Sequence, residues 1–307
     1  MTLRLKRTWV IAAAAIAMVA WAAERAALTI DWHDVAHAWS ELPAASIAAS
    51  LVASVVSFSM LALLDVLAAR IVVPQKVPAT RAAFAGALSH AFSNTLGFPA
   101  LTGSVVRYRI YASAGVARGD IARIVTLAAF GVAMGFTVVT TLALIWQPTL
   151  AHGWGRPLGG AICVALLAFL FWLRPARRSL RIARWRLVLP DNATAAWQMV
   201  VGGIEMLAAI GALYVLLPWE TAPTFNDFLP IYVGAVLVGL ASHVPGGLGV
   251  FEVIVLAAFP AHARADALAA MLCYRITYSV VPFLIAGMAW VVFESRAASS
   301  RAHRISD

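Results

Sequence analysis

Apolar residues in this chain fall in long blocks, most of them close to the roughly 20 residues that a helix needs to cross the hydrocarbon of a bilayer. The blocks run over about 9–23, 44–70, 121–146, 157–173, 195–217 and 267–293. No water reaches the hydrocarbon, so every backbone N–H and C=O must be bonded within the segment, and segments of this length fold as helices. The composition agrees: 62% of the 307 residues are hydrophobic and only 12% are charged, against about a quarter charged in soluble domains. A soluble enzyme, a disordered chain and a secreted disulfide scaffold are excluded. The fold class is an all-α polytopic membrane protein.

Basic residues set the orientation, because cytoplasmic loops are enriched in Lys and Arg. The N-terminus, the 70–81 loop, the 174–186 loop and the C-terminal tail hold 3, 3, 6 and 3 Lys or Arg, whereas 24–42, 147–156 and 261–266 hold only Arg25, Arg156 and Arg264. The first set is expected in the cytoplasm and the second outside. The net charge of +9 is accounted for by these loops. No basic patch is interleaved with stacking aromatics, so nucleic acid is not an expected partner. Ala20-Trp21-Ala22 imitates a signal-peptide cleavage site, but the run is long and further spans follow, so an uncleaved first helix is expected. Cys163 and Cys273 lie in separate apolar blocks and read as small buried hydrophobes.

Two apolar stretches, about 82–111 and 226–260, are interrupted by Gly and Pro. The spans alternate correctly only if each stretch enters and leaves on one side. That predicts six transmembrane helices, two re-entrant broken-helix hairpins and both termini inside, with short tails at 1–8 and 294–307. A single membrane domain fills 1–307, with repeat 1 over about 44–146 and repeat 2 over about 195–293 in inverted arrangement. Ser89-His90 and Ser242-His243 open the two breaks, and Ala117-Arg118-Gly119-Asp120 and Ala263-Arg264-Ala265-Asp266 precede corresponding spans. Broken segments at matching positions of inverted halves point to a transport site near the bilayer midplane.

In the first break, Pro99 removes a backbone donor and His90, Asn94, Thr95 and Thr102 can satisfy the freed groups. In the second, Pro245-Gly246-Gly247-Leu248-Gly249 ends one half-helix and begins another, whose first turn offers N–H groups to an anion. The residues Asn94-Thr95-Leu96-Gly97-Phe98 through Leu101-Thr102-Gly103 to Arg107-Tyr108-Arg109, then Pro245 to Glu252, then Tyr274-Arg275, resemble the membrane domain of the lysyl-phosphatidylglycerol synthase family. That family includes the multiple peptide resistance factors and related stand-alone membrane proteins. The resemblance covers nearly the whole chain. It implies an integral membrane domain that translocates aminoacylated phospholipid between leaflets of a bacterial inner membrane. The large cytosolic transferase domain of the bifunctional members is not expected here, because the chain stops shortly after its last span. Related stand-alone proteins are also linked to other lipids, so the cargo does not follow from the resemblance.

Ionisable residues inside spans are costly and mark pathways or internal pairs. Asp65, Glu205 and Glu252 supply acids, and Arg107, Arg109 and Arg275 supply bases, enough for near-neutral pairing. The arginines can hold a lipid phosphate by paired hydrogen bonds, and the acids can receive a cationic headgroup. Asp65, His90, Asn94, Arg107, Arg109, Glu205, Gly246, Gly247, Gly249, Glu252 and Arg275 are therefore the candidate substrate-binding residues. No catalytic motif, phosphate loop or dinucleotide fingerprint occurs, so neither an enzymatic activity nor a cofactor is expected. His33 and His37 beside Asp31 and Asp34 have helical spacing but read as a polar interfacial loop with Trp32 and Trp39, not as a metal site. The leading function is a lipid flippase-like transporter with a phospholipid as partner. A homo-oligomer or a separate lipid-modifying enzyme is a further candidate partner. A non-transporting lipid-binding accessory protein and a secondary transporter of a small anionic solute are the alternatives.

Overall fold

Several helix starts in this protein are set by proline or by a short polar cap. In the computed structural model, which describes residues 31–306 apart from 98, 148–152, 174–178, 183–184 and 243, α1 (Trp32–Glu41) begins where Asp31 accepts the His33 N–H at 2.8 Å. The helices α2 (Ala44–Val72) and α3 (Ala79–Leu96) follow Pro43 and Pro78, and α4 (Pro99–Ser113) opens on proline, which needs no N–H in a first turn. Then come α5 (Arg118–Trp146) and α6 (Gly155–Trp172). Next is α7 (Asn192–Tyr214), capped by Asp191 on the Thr194 N–H. After α8 (Phe225–Ala241) come a 3₁₀ turn (Pro245–Gly247) and α9 (Val250–Leu256). Last are α10 (Arg264–Arg275), a π turn (Ile276–Val280) and α11 (Val281–Ser306).

Among the described residues, five helical stretches are long and apolar enough to cross a membrane: Ala44–Val72, Arg118–Trp146, Gly155–Trp172, Asn192–Tyr214 and the continuous Ala261–Arg296. They match five of the six expected spans. The sixth, 9–23, lies outside the described residues together with its cleavage-like site, as does His243. Four details differ from the sequence expectation. The 24–42 loop contains α1, which buries Val35 and Ala38 and packs on α10. The 174–186 loop carries an antiparallel ribbon, β1 (Ser179–Ile182) with β2 (Trp185–Val188). The last span is interrupted by the π turn instead of running straight. The expected tail from 294 is the helical continuation of α11.

Packing between residues 44–146 and residues 192–306 is reciprocal. The first long helices of each half, α2 and α7, lie against each other; α3 packs on α11, and α8 packs on α5. The closest approach is between α5 and α7, where glycines replace side chains. A Cβ on Gly135 would stand 2.1 Å from the Gly202 carbonyl carbon, and one on Gly202 would stand 2.6 Å from the Gly131 carbonyl oxygen. Small residues are what let helix backbones meet in a bilayer, where lipid tails compete equally for apolar surface.

That contact generates a prediction. Gly135→Ala and Gly202→Ala should each lower stability by about 1–3 kcal/mol or more, the range for overpacking, seen as a lower thermal midpoint in detergent. Gly160→Ala and Gly234→Ala, where a Cβ meets nothing within 4 Å, should leave the midpoint unchanged.

Candidate functional site

The two broken segments meet. In the first, α3 and α4 form an antiparallel hairpin, with Ser93 Oγ 3.1 Å from Thr102 Oγ1. The turn is made by buried Gly97 at φ 76°, ψ −171°, a backbone region closed to side chains. Thr102 Oγ1 donates to the Gly97 carbonyl at 2.9 Å, so one freed acceptor is bonded within the hairpin. Thr95 Oγ1 instead donates 3.2 Å across to the Ser279 carbonyl in the π turn. The Asn94 carbonyl lies 3.6 Å from where a Cβ on Gly246 would sit. The tip of the first break therefore touches the second break and the middle of the long Ala261–Arg296 stretch.

The second break is held by Arg275. Its Nε and Nη2 donate to Glu252 Oε1, each at 2.8 Å, and its Nη1 donates to the Gly246 carbonyl at 2.9 Å. The guanidinium also stands 5.7 Å from the centre of the Phe251 ring, within cation–π range. Glu252 Oε2 accepts the Gly249 N–H at 2.7 Å. Gly246, Gly247 and Gly249 have φ of 64°, 62° and 79°, which only glycine takes without strain. The start of α9 was expected to seat an external anion. The anion found there is the protein's own Glu252 carboxylate, and α9 is only 7 residues long.

A second ion pair lies deeper. Arg107 donates from Nε to Asp65 Oδ1 at 2.8 Å and from Nη2 to Asp65 Oδ2 at 2.7 Å. Nη2 is also 3.0 Å from His90 Nε2. Guanidinium can only donate, so that ring nitrogen is the acceptor. Gly86 makes room for the acid: a Cβ there would stand 2.8 Å from Asp65 Oδ2. Exposure separates the two pairs. The Arg107 and Asp65 side chains are 8% and 0% exposed, those of Arg275 and Glu252 20% and 15%.

The acid that pairs Arg109 is Glu294, at 2.7 Å, a residue the charge inventory left in the tail. Glu205 pairs with no arginine among the described residues. Its Oε1 accepts from Ser57 Oγ at 3.1 Å and from Tyr278 OH at 3.4 Å, and those hydroxyls are 2.8 Å apart. Ser50 Oγ lies 2.9 Å from Thr277 Oγ1, and Tyr232 OH lies 2.8 Å from Tyr274 OH. Sequence reasoning passed over this hydroxyl network. The signal was present as Ser50, Ser54 and Ser57 on one face of an apolar helix, and as Tyr274 and Tyr278 one turn apart. Among the described residues no cluster of three His, Cys, Asp or Glu could hold a metal.

Comparison with known proteins places the chain among membrane proteins. No protein-family model matches it. It is 28% identical over 271 residues to an uncharacterized protein of Synechocystis sp., covering 86% of this chain and 84% of that one. It is 25% identical over 310 residues to the inner membrane protein YbhN of Escherichia coli, covering 96% and 93%. Similarity to the phosphatidylglycerol lysyltransferase of Staphylococcus aureus is 24% over 207 residues, covering 64% of this chain but 23% of that protein. With five apolar helices long enough to span a bilayer, the chain is a multi-pass membrane protein related to YbhN and to the membrane region of the lysyltransferases.

The buried pair is open to a direct test. Arg107→Ala or Asp65→Asn leaves a buried partner uncompensated and should cost about 3–5 kcal/mol of stability. Asp65→Leu with Arg107→Met should recover much of that loss in a thermal-unfolding measurement, because no unpaired charge remains.

Proposed function

We propose that this protein is a flippase-like transporter that moves a phospholipid between leaflets of a bacterial inner membrane, acting without a catalytic step. In this reading repeats 1 and 2 are inverted copies, as their reciprocal packing suggests, and both termini are cytoplasmic. The observation that carries the proposal is the partly exposed Arg275–Glu252 pair at the junction of the two breaks. It presents both signs of charge beside non-helical backbone, which suits a headgroup carrying a phosphate and an ammonium. Exposed apolar side chains rim the junction, among them Leu96, Leu248, Ile276 and Val280. Such a rim suits a ligand that arrives from the lipid side with its acyl chains outside. A small anionic solute fits less well, because Glu252 already fills the α9 start that would bind it. The partial similarity to a phosphatidylglycerol lysyltransferase makes phosphatidylglycerol and its aminoacylated form the first cargoes to try.

The assay uses purified protein in phosphatidylglycerol–phosphatidylethanolamine vesicles with a trace of fluorescently labelled phosphatidylglycerol or lysyl-phosphatidylglycerol. An impermeant reductant reports outer-leaflet label. Wild-type protein should expose inner-leaflet label faster than protein-free vesicles do; equal rates for every headgroup tried would end the flippase reading. Glu252→Gln and Arg275→Ala each remove a charge-assisted contact of about 1.5–3 kcal/mol, so transport should fall about ten- to a hundredfold at normal membrane abundance. A Glu252→Arg, Arg275→Glu double exchange restores opposite charges but leaves the Gly246 carbonyl and the Gly249 N–H without their partners. It should therefore regain only part of the stability and no transport, since the headgroup then meets the wrong sign at each position. Regained transport would make the pair structural.

Cysteine labelling tests the topology. Residues 174–186 should label from the cytoplasm, and residues 147–156 and 261–266 from outside. Cytoplasmic labelling at 261–266 would turn the second hairpin into a true crossing and remove the inverted repeat.

A further inference from the structure

Two carboxylates are buried among the described residues, Asp65 and Glu205, and they are held differently. Asp65 is neutralised by Arg107. Glu205 sits mid-way along the membrane-length helix α7, and its hydrogen-bond partners are two hydroxyls, Ser57 from α2 and Tyr278 from the π turn. The titratable groups that face it are Tyr278 and Tyr232, with Tyr274 bonded behind Tyr232. On α2, Asp65 lies two turns beyond Ser57 and is committed to Arg107. The charges of α5, Arg118, Asp120 and Arg123, are at its far end, and α6 contributes only Arg156, at its start, and Cys163. Among the described residues no cation bonds to Glu205: Arg275 of α10, which also packs on α7, faces the Tyr232–Tyr274 pair but is committed to Glu252.

A lone charge in a low-dielectric interior is unfavourable by several kcal/mol, and a group so placed takes up a proton when one can reach it. The two carboxylate oxygens and two hydroxyls gathered here fall short of the about six to eight oxygens that a calcium ion takes. We infer that Glu205 is a proton-binding site that couples lipid movement to a proton gradient, an inference resting on the transport reading above. The geometry supplies the linkage. While Glu205 is charged, the Ser57 and Tyr278 hydroxyls donate to it. Once Oε1 carries the proton, its O–H donates to one of those hydroxyls, which must then turn its own hydrogen to another acceptor, while the carboxyl accepts more weakly than the carboxylate did. Tyr278 is in the π turn three residues beyond Arg275, and π turns inside α-helices recur at functional sites. A change at Tyr278 is thus transmitted to the arginine that holds Glu252 and Gly246. One proton binds at the carboxylate from one side and leaves to the other, and no covalent bond of the lipid changes.

The test uses the labelled-lipid vesicles with an imposed pH gradient, and infrared spectroscopy on the same protein. One coupled proton lets a one-unit gradient sustain up to about a tenfold leaflet imbalance. Wild type should approach this and reverse it when the gradient is reversed, while Glu205→Gln should lose the gradient response, whatever rate of movement remains. Glu205→Asp, which keeps a carboxyl, should retain part of it. An undiminished response in Glu205→Gln, a wild type that equilibrates lipid but ignores the pH gradient, or a response to sodium in its place overturns the coupling. The infrared arm separates the two claims. A protonated-carboxyl band in wild type that is missing from Glu205→Gln supports the proton site even if no lipid moves and the flippase reading falls. Its absence from wild type between about pH 5 and pH 9 removes the site.

Discussion

A helix that stops inside hydrocarbon leaves donors and acceptors that water cannot reach, and each must be bonded by the protein itself. At the second break of this protein, Arg275 ties the two sides of the broken backbone together. It bonds the Gly246 carbonyl, and through Glu252 it fixes the Gly249 N–H at the start of α9. Without it the Gly246 carbonyl loses its donor and Glu252 its charge partner. The first break depends on the second in turn, because Thr95 reaches the Ser279 carbonyl and Asn94 lies against Gly246.

Two arginine–carboxylate pairs of the same chemistry therefore serve different ends. Asp65–Arg107 is sealed between α2, α3 and α4, with Gly86 shaped around the acid. A buried pair of this kind contributes little net stability, since desolvation offsets attraction, yet losing one partner is costly. It fixes how α2 and the first hairpin sit. Glu252–Arg275 is partly exposed and borders exposed apolar surface, so an outside group can compete for it. Glu205 is a third case, a carboxylate held by hydroxyls alone, linked through Tyr278 to the same π turn.

Much of the architecture is legible in the residues. Block lengths near the bilayer thickness give the spans, and proline with glycine marks both breaks. The charged residues within the blocks are the ones that gather near the breaks. Their pairing was not legible. Arg109 finds Glu294, which a composition-based boundary assigned to a tail, and Glu205 pairs with no arginine among the described residues. The α9 start, read as a vacant anion seat, is filled from three residues away because Glu252 can fold back onto Gly249.

The sequence by itself determined that this chain lives in a membrane, where its helices break and which ionisable residues must be accommodated there. Those are consequences of local composition, because hydrophobic length and missing backbone donors act within a segment. Only the tertiary structure decided which acid meets which arginine, that the two breaks touch, and that a π turn joins them to Glu205. Those outcomes depend on helix packing across long sequence separations, set by contacts such as Gly135 on Gly202, where the absence of side chains fixes how near α5 and α7 can come.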